Sequence, residues 1–181
     1  MIKENVVFEA SAHRILEFLS DHPLEGFYVT EIAVGVGLSK GAASLWLRKL
    51  LKNGLVLAEQ RGKELYYKVD ISSSVIRQYK VLNNIILLDP FVDKLKGVSR
   101  KITLFGSSAR GEDHSGSDFD LFIIAKDPRA AGQMIANAKL KRKIQPVIKT
   151  ASELTAFERE NREFYGQVMA GITLWEEKDD D

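Results

Sequence analysis

The sequence of 181 residues contains no cysteine, three histidines and four prolines, and it has no long apolar run. The absence of cysteine excludes a disulfide framework and a thiolate metal site. None of the three histidines is spaced with another as a zinc site requires. No segment is long and apolar enough to cross a bilayer, and the first residues lack the apolar core of a signal peptide. We therefore expect a cytoplasmic protein with no membrane partner.

The apolar fraction of 45% suits ordinary globular cores, and the length allows one large or two small domains. The net charge is only +1, but the charge is unevenly distributed along the chain. Positions 40–68 hold seven basic and two acidic residues, whereas positions 1–31 hold two basic and six acidic residues. A local basic excess of this kind is typical of a surface that meets nucleic acid.

The first third of the chain has the pattern of a helix-turn-helix. Apolar residues at helical spacing predict a first helix over residues 8–19. Thr30 and Ser39 are the predicted N-caps of two further helices, the second of which ends at Asn53. Gly37 predicts a tight turn between these two helices. Two short helices joined by a glycine turn form a helix-turn-helix.

Two strand-like segments follow, residues 55–59 and 64–69, with a hairpin tip over residues 60–63. Residues 5–70 resemble the winged helix-turn-helix domains of bacterial and archaeal transcription regulators. This resemblance implies duplex DNA as a partner, bound by the recognition helix and the wing, where the basic residues are concentrated. The candidate DNA-binding residues are four at helical spacing on the recognition helix and two in the wing: Ser39, Lys40, Ser44, Arg48, Arg61 and Lys63. The alternatives are a solvated cationic face and a protein-contact module.

Residues 71–97 are expected to form a helical linker. Serines at 72–74 cap a long helical pattern, and Asp89-Pro90 is predicted to break it because proline cannot continue the hydrogen bonding of a helix. A second short helix over residues 91–96 is then expected. The breadth of apolar residues in this segment suggests a homodimer through residues 74–96, and packing between the two domains is the alternative.

The most informative motif lies between two apolar runs that read as strands, Ile102 to Phe105 and Leu121 to Ile124. It begins with Gly106-Ser107 and ends with Asp118-Phe119-Asp120. Side chains at positions i and i+2 of a strand point to the same face, so the two carboxylates can converge. Such a pair is half of a site for Mg²⁺, which completes its coordination with water and phosphate oxygens. The glycine allows close approach of the backbone to a ligand, and the helix start after it favours an anion. The motif therefore predicts a site for a nucleoside triphosphate and Mg²⁺.

This segment resembles the nucleotidyltransferase superfamily that includes DNA polymerase beta, and within it the minimal nucleotidyltransferases. The resemblance implies that Asp118 and Asp120 hold Mg²⁺ and are the catalytic carboxylates, with ATP as the expected nucleotide. It also implies a nucleotide-binding set of residues in and around the turn: Gly106, Ser107, Arg110 and Ser117. Ser107 would bond a terminal phosphate, and Arg110 would help to neutralise the triphosphate.

The sequence departs from this superfamily at one position. Members that transfer a nucleotide usually carry a third carboxylate on a later strand, which here is predicted over residues 143–148. The expected position of the acid is occupied by Gln145, whose neutral amide cannot act as a base near pH 7. Three explanations stay open: the acceptor is activated in another way, Glu153 reaches the site, or the domain binds nucleotide without turnover.

The rest of the chain is predicted to be a helix over residues 129–143, a helix over residues 152–169 capped by Ser152, and a last strand over residues 172–175. The first of these helices has a basic end that includes Arg142. These basic side chains are candidates to face the triphosphate or an anionic acceptor, and a favourable interaction with the helix dipole alone is the alternative. The predicted fold class is α+β, with a winged helix-turn-helix at 1–70, the linker at 71–97 and a small mixed-sheet nucleotidyltransferase domain at 98–181.

Three functional hypotheses follow from these patterns. The first is a DNA-binding protein that transfers NMP from Mg–NTP to an unidentified acceptor, for which a partner protein is one candidate. The second is a transcriptional regulator whose C-terminal domain binds nucleotide without turnover. The third is a component of a toxin–antitoxin or defence pair.

Overall fold

A computed structural model describes residues 9–178. The contacts divide the chain into two compact units, residues 1–80 and 81–181. The predicted start of the first helix at residue 8, the start of the winged domain at residues 5–8 and the end of the acidic tail at residues 179–181 lie outside the described residues. Among residues 9–178, no helix is both long and apolar enough to span a bilayer.

The first unit contains three helices and a small sheet with the strand order β1-β3-β2. Its elements are α1 (Ala10–Asp21), β1 (Phe27–Tyr28), α2 (Val29–Val36), α3 (Lys40–Lys52), β2 (Val56–Arg61) and β3 (Glu64–Val69). All strand pairs in this sheet are antiparallel. The core is formed by the apolar faces of the helices against β3, with Leu16, Leu47 and Tyr67 among its buried members. This is the predicted winged helix-turn-helix arrangement.

Two details of the first unit differ from the prediction. Thr30 does not cap α2, because the helix begins two residues earlier than predicted, at Val29, and Tyr28 occupies the N-cap position. The Tyr28 backbone N–H donates to the Glu31 carboxylate at 2.7 Å, which satisfies a free donor at the helix start. The hairpin tip is also shorter than predicted. The strands continue to Arg61 and Glu64, and Gly62, with φ of +62°, makes the tight turn.

The predicted helix break at Asp89-Pro90 is wrong. Helix α4 runs without interruption from Ser74 to Leu95 and includes Pro90. Proline removes one backbone hydrogen bond from a helix interior. Here the burial of apolar side chains before and after Pro90 offsets this cost. Leu88, Phe91 and Leu95 lie in the core of the second unit, so a single continuous helix presents these side chains to the sheet.

The second unit is a mixed sheet of four strands with the order β6-β5-β4-β7. After a short 3-10 turn at Lys96–Val98, its elements are β4 (Ser99–Phe105), α5 (Gly106–Arg110), β5 (Phe119–Ala125), α6 (Pro128–Ala136), β6 (Ile144–Lys149), α7 (Ala151–Glu160), α8 (Arg162–Met169) and β7 (Ile172–Glu176). Strands β5 and β6 are parallel, and the other pairs are antiparallel. The predicted α+β class, mixed sheet and final strand are confirmed.

Two clusters of apolar side chains hold this sheet. The larger contains the second half of α4 with Ile102, Phe119 and Leu121. The smaller joins Phe105 and Phe122 to side chains of α7 and α8. Burial of large aromatic side chains contributes strongly to such cores, each stabilising by about 1.5–3 kcal/mol relative to exposure. The sheet is therefore a fixed support for the loop that carries the two aspartates.

Two predicted helices of the second unit have different bounds. The predicted helix over residues 129–143 ends at Ala136, and Asn137 closes it by donating from its side-chain amide to the Gln133 carbonyl at 2.9 Å. The predicted helix over residues 152–169 is divided at Asn161 and begins after a Thr150 cap, not a Ser152 cap. The basic residues at 139–143 thus lie in a loop between α6 and β6 instead of at a helix end.

Candidate nucleotide site and nucleic-acid interface

The strand β4, the turn at Gly106 and the strand β5 bring the two ends of the predicted motif together. Phe105 at the end of β4 is paired in register with Asp120 on β5. Gly106 follows immediately and adopts a φ of +71°. This left-handed conformation favours glycine, because a side chain at positive φ is strained. The chain can therefore turn sharply into α5 beside Asp120.

Gly106 is also required by the position of the Asp120 side chain. A Cβ atom at residue 106 would lie 2.2 Å from Oδ2 of Asp120, and 3.1 Å from its carboxyl carbon. Any side chain at this position would displace the carboxylate. The turn and the carboxylate thus pack directly against each other.

The charge environment of Asp120 is that of a carboxylate pair. Burial raises the pKa of Asp120 above its ordinary value, and the nearby charge of Asp118 raises it further. The charges of Arg142 and Arg110 act in the opposite direction. A carboxylate whose ionisation is disfavoured by burial and by a neighbouring carboxylate is stabilised by a cation bound to both. Their oxygen donors fit Mg²⁺, for which one or two carboxylates and phosphate oxygens are the usual ligands.

The other predicted nucleotide-binding residues lie in α5 and in the loop that leads to this pair. Ser107 lies in the first turn of α5, and its carbonyl accepts from the Glu112 backbone at 3.0 Å. Arg110 is exposed and forms a 2.7 Å ion pair with Glu112. The Ser117 hydroxyl accepts from the His114 backbone N–H at 3.0 Å and so closes the loop before the aspartates. A direct contact of any of these side chains with nucleotide stays a prediction.

Gln145 lies directly beside Asp120. The parallel pairing of β5 and β6 places Asp120 opposite Gln145, and Gln145 is exposed. No group of three or more histidine and carboxylate side chains that could hold a metal occurs in residues 9–178. Glu153 is engaged elsewhere, since its carboxylate accepts from the Thr150 N–H at 2.7 Å and from the Thr150 hydroxyl at 2.8 Å. These bonds lower the pKa of Glu153 and make it a helix cap.

Sequence reasoning missed a buried polar network beside the site. It consists of side chains from four separate parts of the second unit: Asn84, Ser108, Asp113 and Arg142. Arg142 was expected in a basic helix end facing phosphate or an anionic acceptor. It is instead mostly buried and forms a 2.7 Å ion pair with Asp113. Nothing in the basic run over residues 139–143 distinguishes Arg142 from its lysine neighbours.

A surface groove of about 940 Å³ lies elsewhere in this unit, between the second half of α4 and α6. Its lining includes Phe91, Lys94 and Met134, and none of the predicted nucleotide-binding residues. The groove is therefore not part of the site built by Asp118 and Asp120. The carboxylate pair sits at an open loop edge of the sheet.

The recognition helix α3 presents the predicted basic residues on its surface. Ser39 caps the helix by accepting from the Ala42 N–H at 3.2 Å. Lys40 and Arg48 are exposed, whereas Ser44 is half-buried and its carbonyl accepts from Arg48 Nε at 3.3 Å. Leu45, not included in the prediction, is 47% exposed on the same helix. Such an apolar side chain is suited to contact a thymine methyl group.

The two basic residues of the wing have different environments. The Arg61 guanidinium carbon lies 3.7 Å from the centre of the Tyr66 ring, and its Nε lies 3.4 Å from the Glu59 carboxylate. Lys63 is exposed in the hairpin turn. Arg61 is thus partly engaged within the wing. Lys63 is the better placed of the two to contact a phosphate.

Comparison with known proteins gives a domain assignment for one unit and structural neighbours for the other. Residues 85–169 match the nucleotidyltransferase domain family. No curated protein matches the chain. Among solved structures, a homodimeric winged helix-turn-helix DNA-binding domain from Mycobacterium bovis is 24% identical, with a TM-score of 0.40, over 49% of this chain and 77% of that chain.

A second structural neighbour is the AntR antimony-specific transcriptional repressor, which is 24% identical with a TM-score of 0.42. It covers 47% of this chain and 74% of its own. A zinc-responsive MarR family member from Lactococcus lactis, ZitR, is 15% identical with a TM-score of 0.39, over 54% of this chain and 67% of its own. The family match confirms the resemblance inferred from the glycine turn and the aspartate pair: residues 85–169 are similar to nucleotidyltransferase domains.

Proposed function

We propose that the second unit binds Mg–NTP at Asp118 and Asp120 and transfers NMP to an acceptor, within a protein whose first unit binds duplex DNA. The observation that carries this proposal is the position of the Asp120 carboxylate against the Gly106 turn, beside Asp118. The match of residues 85–169 to nucleotidyltransferase domains supports it.

The proposed roles follow from the position of each side chain. Mg²⁺ bound by the two carboxylates would neutralise charge on the triphosphate and orient it for in-line transfer. Ser107, at the start of α5, is proposed to bond a terminal phosphate. Arg110 has an exposed partner in Glu112, and exposed ion pairs are weak, so its guanidinium can turn to a phosphate at little cost. ATP is the nucleotide proposed first.

A second candidate function is a nucleotide sensor without turnover. It is favoured by Gln145, which stands beside Asp120 and carries no charge. A neutral amide can hydrogen-bond an acceptor hydroxyl but cannot take its proton. In this candidate, Mg–NTP bound in the second unit regulates DNA binding by the first.

Labelling experiments separate the two candidates. The full-length protein is incubated with each α-labelled NTP, Mg²⁺ and a lysate of the source cells, and labelled acceptors are detected by autoradiography. Transfer predicts labelling that disappears in Asp118→Asn/Asp120→Asn. The sensor candidate predicts no labelling by the parent and labelling by Gln145→Asp. If the parent and Gln145→Asp both bind Mg–NTP but neither labels an acceptor, transfer is contradicted.

DNA binding by the first unit is proposed from the exposed Lys40, Arg48 and Lys63 on the recognition helix and wing. About 0.9 unit of the slope of log affinity against log salt is expected for each phosphate contact. Four or five contacts predict a slope of roughly −4 for one domain on duplex DNA. Duplex affinity that is absent at low salt, or indifferent to salt, would favour the protein-contact alternative and the toxin–antitoxin or defence hypothesis.

The remaining proposals concern location and assembly. A cytoplasmic location is proposed because the two expected ligands, duplex DNA and NTP, are available together there. A homodimer through residues 74–96 is proposed from the apolar residues of α4, of which Leu82 and Ile86 are 47% and 58% exposed. A protein acceptor for the NMP group is likewise a proposal.

A further inference from the structure

The loop that ends at Asp118 is held by the buried polar network of Asn84, Ser108, Asp113 and Arg142. The side chains of Arg142 and Asp113 are only 10% and 4% exposed. Asn84 links the members, since its amide nitrogen donates to the Ser108 carbonyl at 3.0 Å and to Asp113 Oδ1 at 3.1 Å. A buried ion pair with additional hydrogen bonds on both partners has a defined geometry.

All five N–H groups of Arg142 are used within the protein. Nε donates to the Ser117 carbonyl at 2.6 Å. Nη1 donates to Asn84 Oδ1 at 3.2 Å and to Asp113 Oδ2 at 2.7 Å. Nη2 donates to Ser108 Oγ at 2.7 Å and to the Asp118 carbonyl at 3.1 Å. Arginine has five such donors, so none is left for a phosphate. The expected role of Arg142 as a phosphate contact does not agree with this geometry.

The two aspartates of the motif are positioned in different ways. Asp120 lies within β5 and is paired with residues on both neighbouring strands. Asp118 precedes the strand, which begins at Phe119. The Asp118 carbonyl accepts from Ser108 Oγ at 3.2 Å and from Arg142 Nη2. The guanidinium of Arg142 also lies 4.1 Å from the centre of the Phe119 ring. The network thus holds the chain at Asp118 and at the residues before and after it, Ser117 and Phe119.

We propose that Arg142 and Asp113 are positioning residues that hold Asp118 at the distance from Asp120 at which both carboxylates bind one metal ion. This inference rests on the proposed Mg–NTP site and adds the residues that set its geometry. Arg142 acts by the shape of its guanidinium and not by its charge alone. A lysine has three donors on one atom and cannot reproduce the five bonds.

Mn²⁺ binding to the full-length protein, followed by electron paramagnetic resonance, tests this inference without requiring turnover. Arg142→Lys keeps the charge and is expected to weaken Mn²⁺ binding by about tenfold or more, as is typical when a group that orients a metal ligand is lost. Arg129→Lys, the same change at an exposed residue of α6, is the matched control and should leave the affinity unchanged. Ser108→Ala removes two hydrogen bonds without altering charge and should give a smaller loss.

Circular dichroism and duplex DNA affinity are measured on the same samples, below the melting temperature of each variant. Unchanged values together with weaker Mn²⁺ binding support a positioning role. If Arg142→Lys does not fold, Ser108→Ala carries the test.

Two results would overturn the inference, and they differ in what else they affect. If the network variants bind Mn²⁺ as tightly as the parent, while Asp118→Asn/Asp120→Asn loses binding, the positioning role is wrong and the proposed site stands. If the double aspartate variant retains parental Mn²⁺ binding, both the site and its positioning residues are wrong.

Discussion

The two units of this protein hold their candidate functional side chains in opposite ways. In the first unit, Lys40 and Arg48 on a helix and Lys63 in a hairpin turn are exposed to solvent. In the second unit, Asp118 and Asp120 converge at a loop whose shape depends on a positive-φ glycine and a buried network. The first arrangement follows from local helix and hairpin geometry. The second requires residues that are distant in sequence, such as Ser108 and Arg142.

This difference decides how each site should respond to mutation. Exposed cations contribute to binding one by one, because each makes its own contact. A pair of converging carboxylates loses metal affinity when the residues that position either one are changed, because the metal ion needs both at defined distances. The following predictions are ordered by the size of the effect expected.

Gly106→Ala should have the largest effect. Alanine at a φ of +71° costs about 1–2 kcal/mol of stability, and its Cβ would meet the Asp120 carboxylate. Calorimetry is expected to show Mg–ATP affinity reduced by about a hundredfold, the upper end for a disturbed metal ligand. Gly132→Ala in α6 is the control and should leave affinity unchanged, since its Cβ would lie 4.0 Å from the nearest side-chain atom, on Ile148. Parental affinity in Gly106→Ala would contradict the close packing of turn and carboxylate.

Much of this site was predictable from the sequence, and the reason is its local spacing. Gly106 and Asp120 belong to one strand–turn–strand motif, and the i, i+2 spacing predicted that the carboxylates of Asp118 and Asp120 lie close together. Asp120 does lie on β5, whereas Asp118 immediately precedes it. Gln145 was placed on the expected later strand, and the sheet pairs it with Asp120. The Arg142 network was not predictable, because no periodicity or motif links residues 84, 108, 113 and 142.

Arg48→Ala should weaken the binding of a preferred duplex by about 1–3 kcal/mol, or roughly tenfold to a hundredfold, and relax sequence preference. The exposed position of Arg48 on α3 allows it to reach base edges. Fluorescence anisotropy with specific and unrelated duplexes measures both effects. Lys126→Ala gives the same charge change in the second unit. An equal loss in both variants would indicate a general effect of net charge.

The errors in the predicted fold also have a physical pattern. Pro90 and the length of α6 were judged from local propensity, and in both places contacts distant in sequence decide the structure. Burial of Leu88 and Leu95 on one face keeps α4 continuous through Pro90. Helix α6 ends at Ala136, and the loop that follows places Arg142 beside Asp113. The helix predicted over the same residues included no such contact.

Asp120→Asn should have a smaller, pH-dependent effect on the stability of the metal-free protein. The pKa of Asp120 is raised by burial and by Asp118, so its contribution to stability is present at low pH and is lost as pH rises through that raised pKa. Asparagine avoids this loss. The variant should therefore gain stability relative to the parent as pH rises above the ordinary carboxyl pKa of about 4. Urea unfolding in a chelator checks this, and a difference independent of pH would show that Asp120 is not perturbed.

The most direct test of the central claim is calorimetry of Mg–ATP binding to the parent and to Asp118→Asn/Asp120→Asn. The double variant preserves the shape of both side chains and removes the charge that would hold the metal. The account predicts binding by the parent and a loss of at least about a hundredfold in the variant, with duplex DNA affinity unchanged. Equal Mg–ATP affinity in the two proteins would contradict the assignment of Asp118 and Asp120 as the nucleotide site.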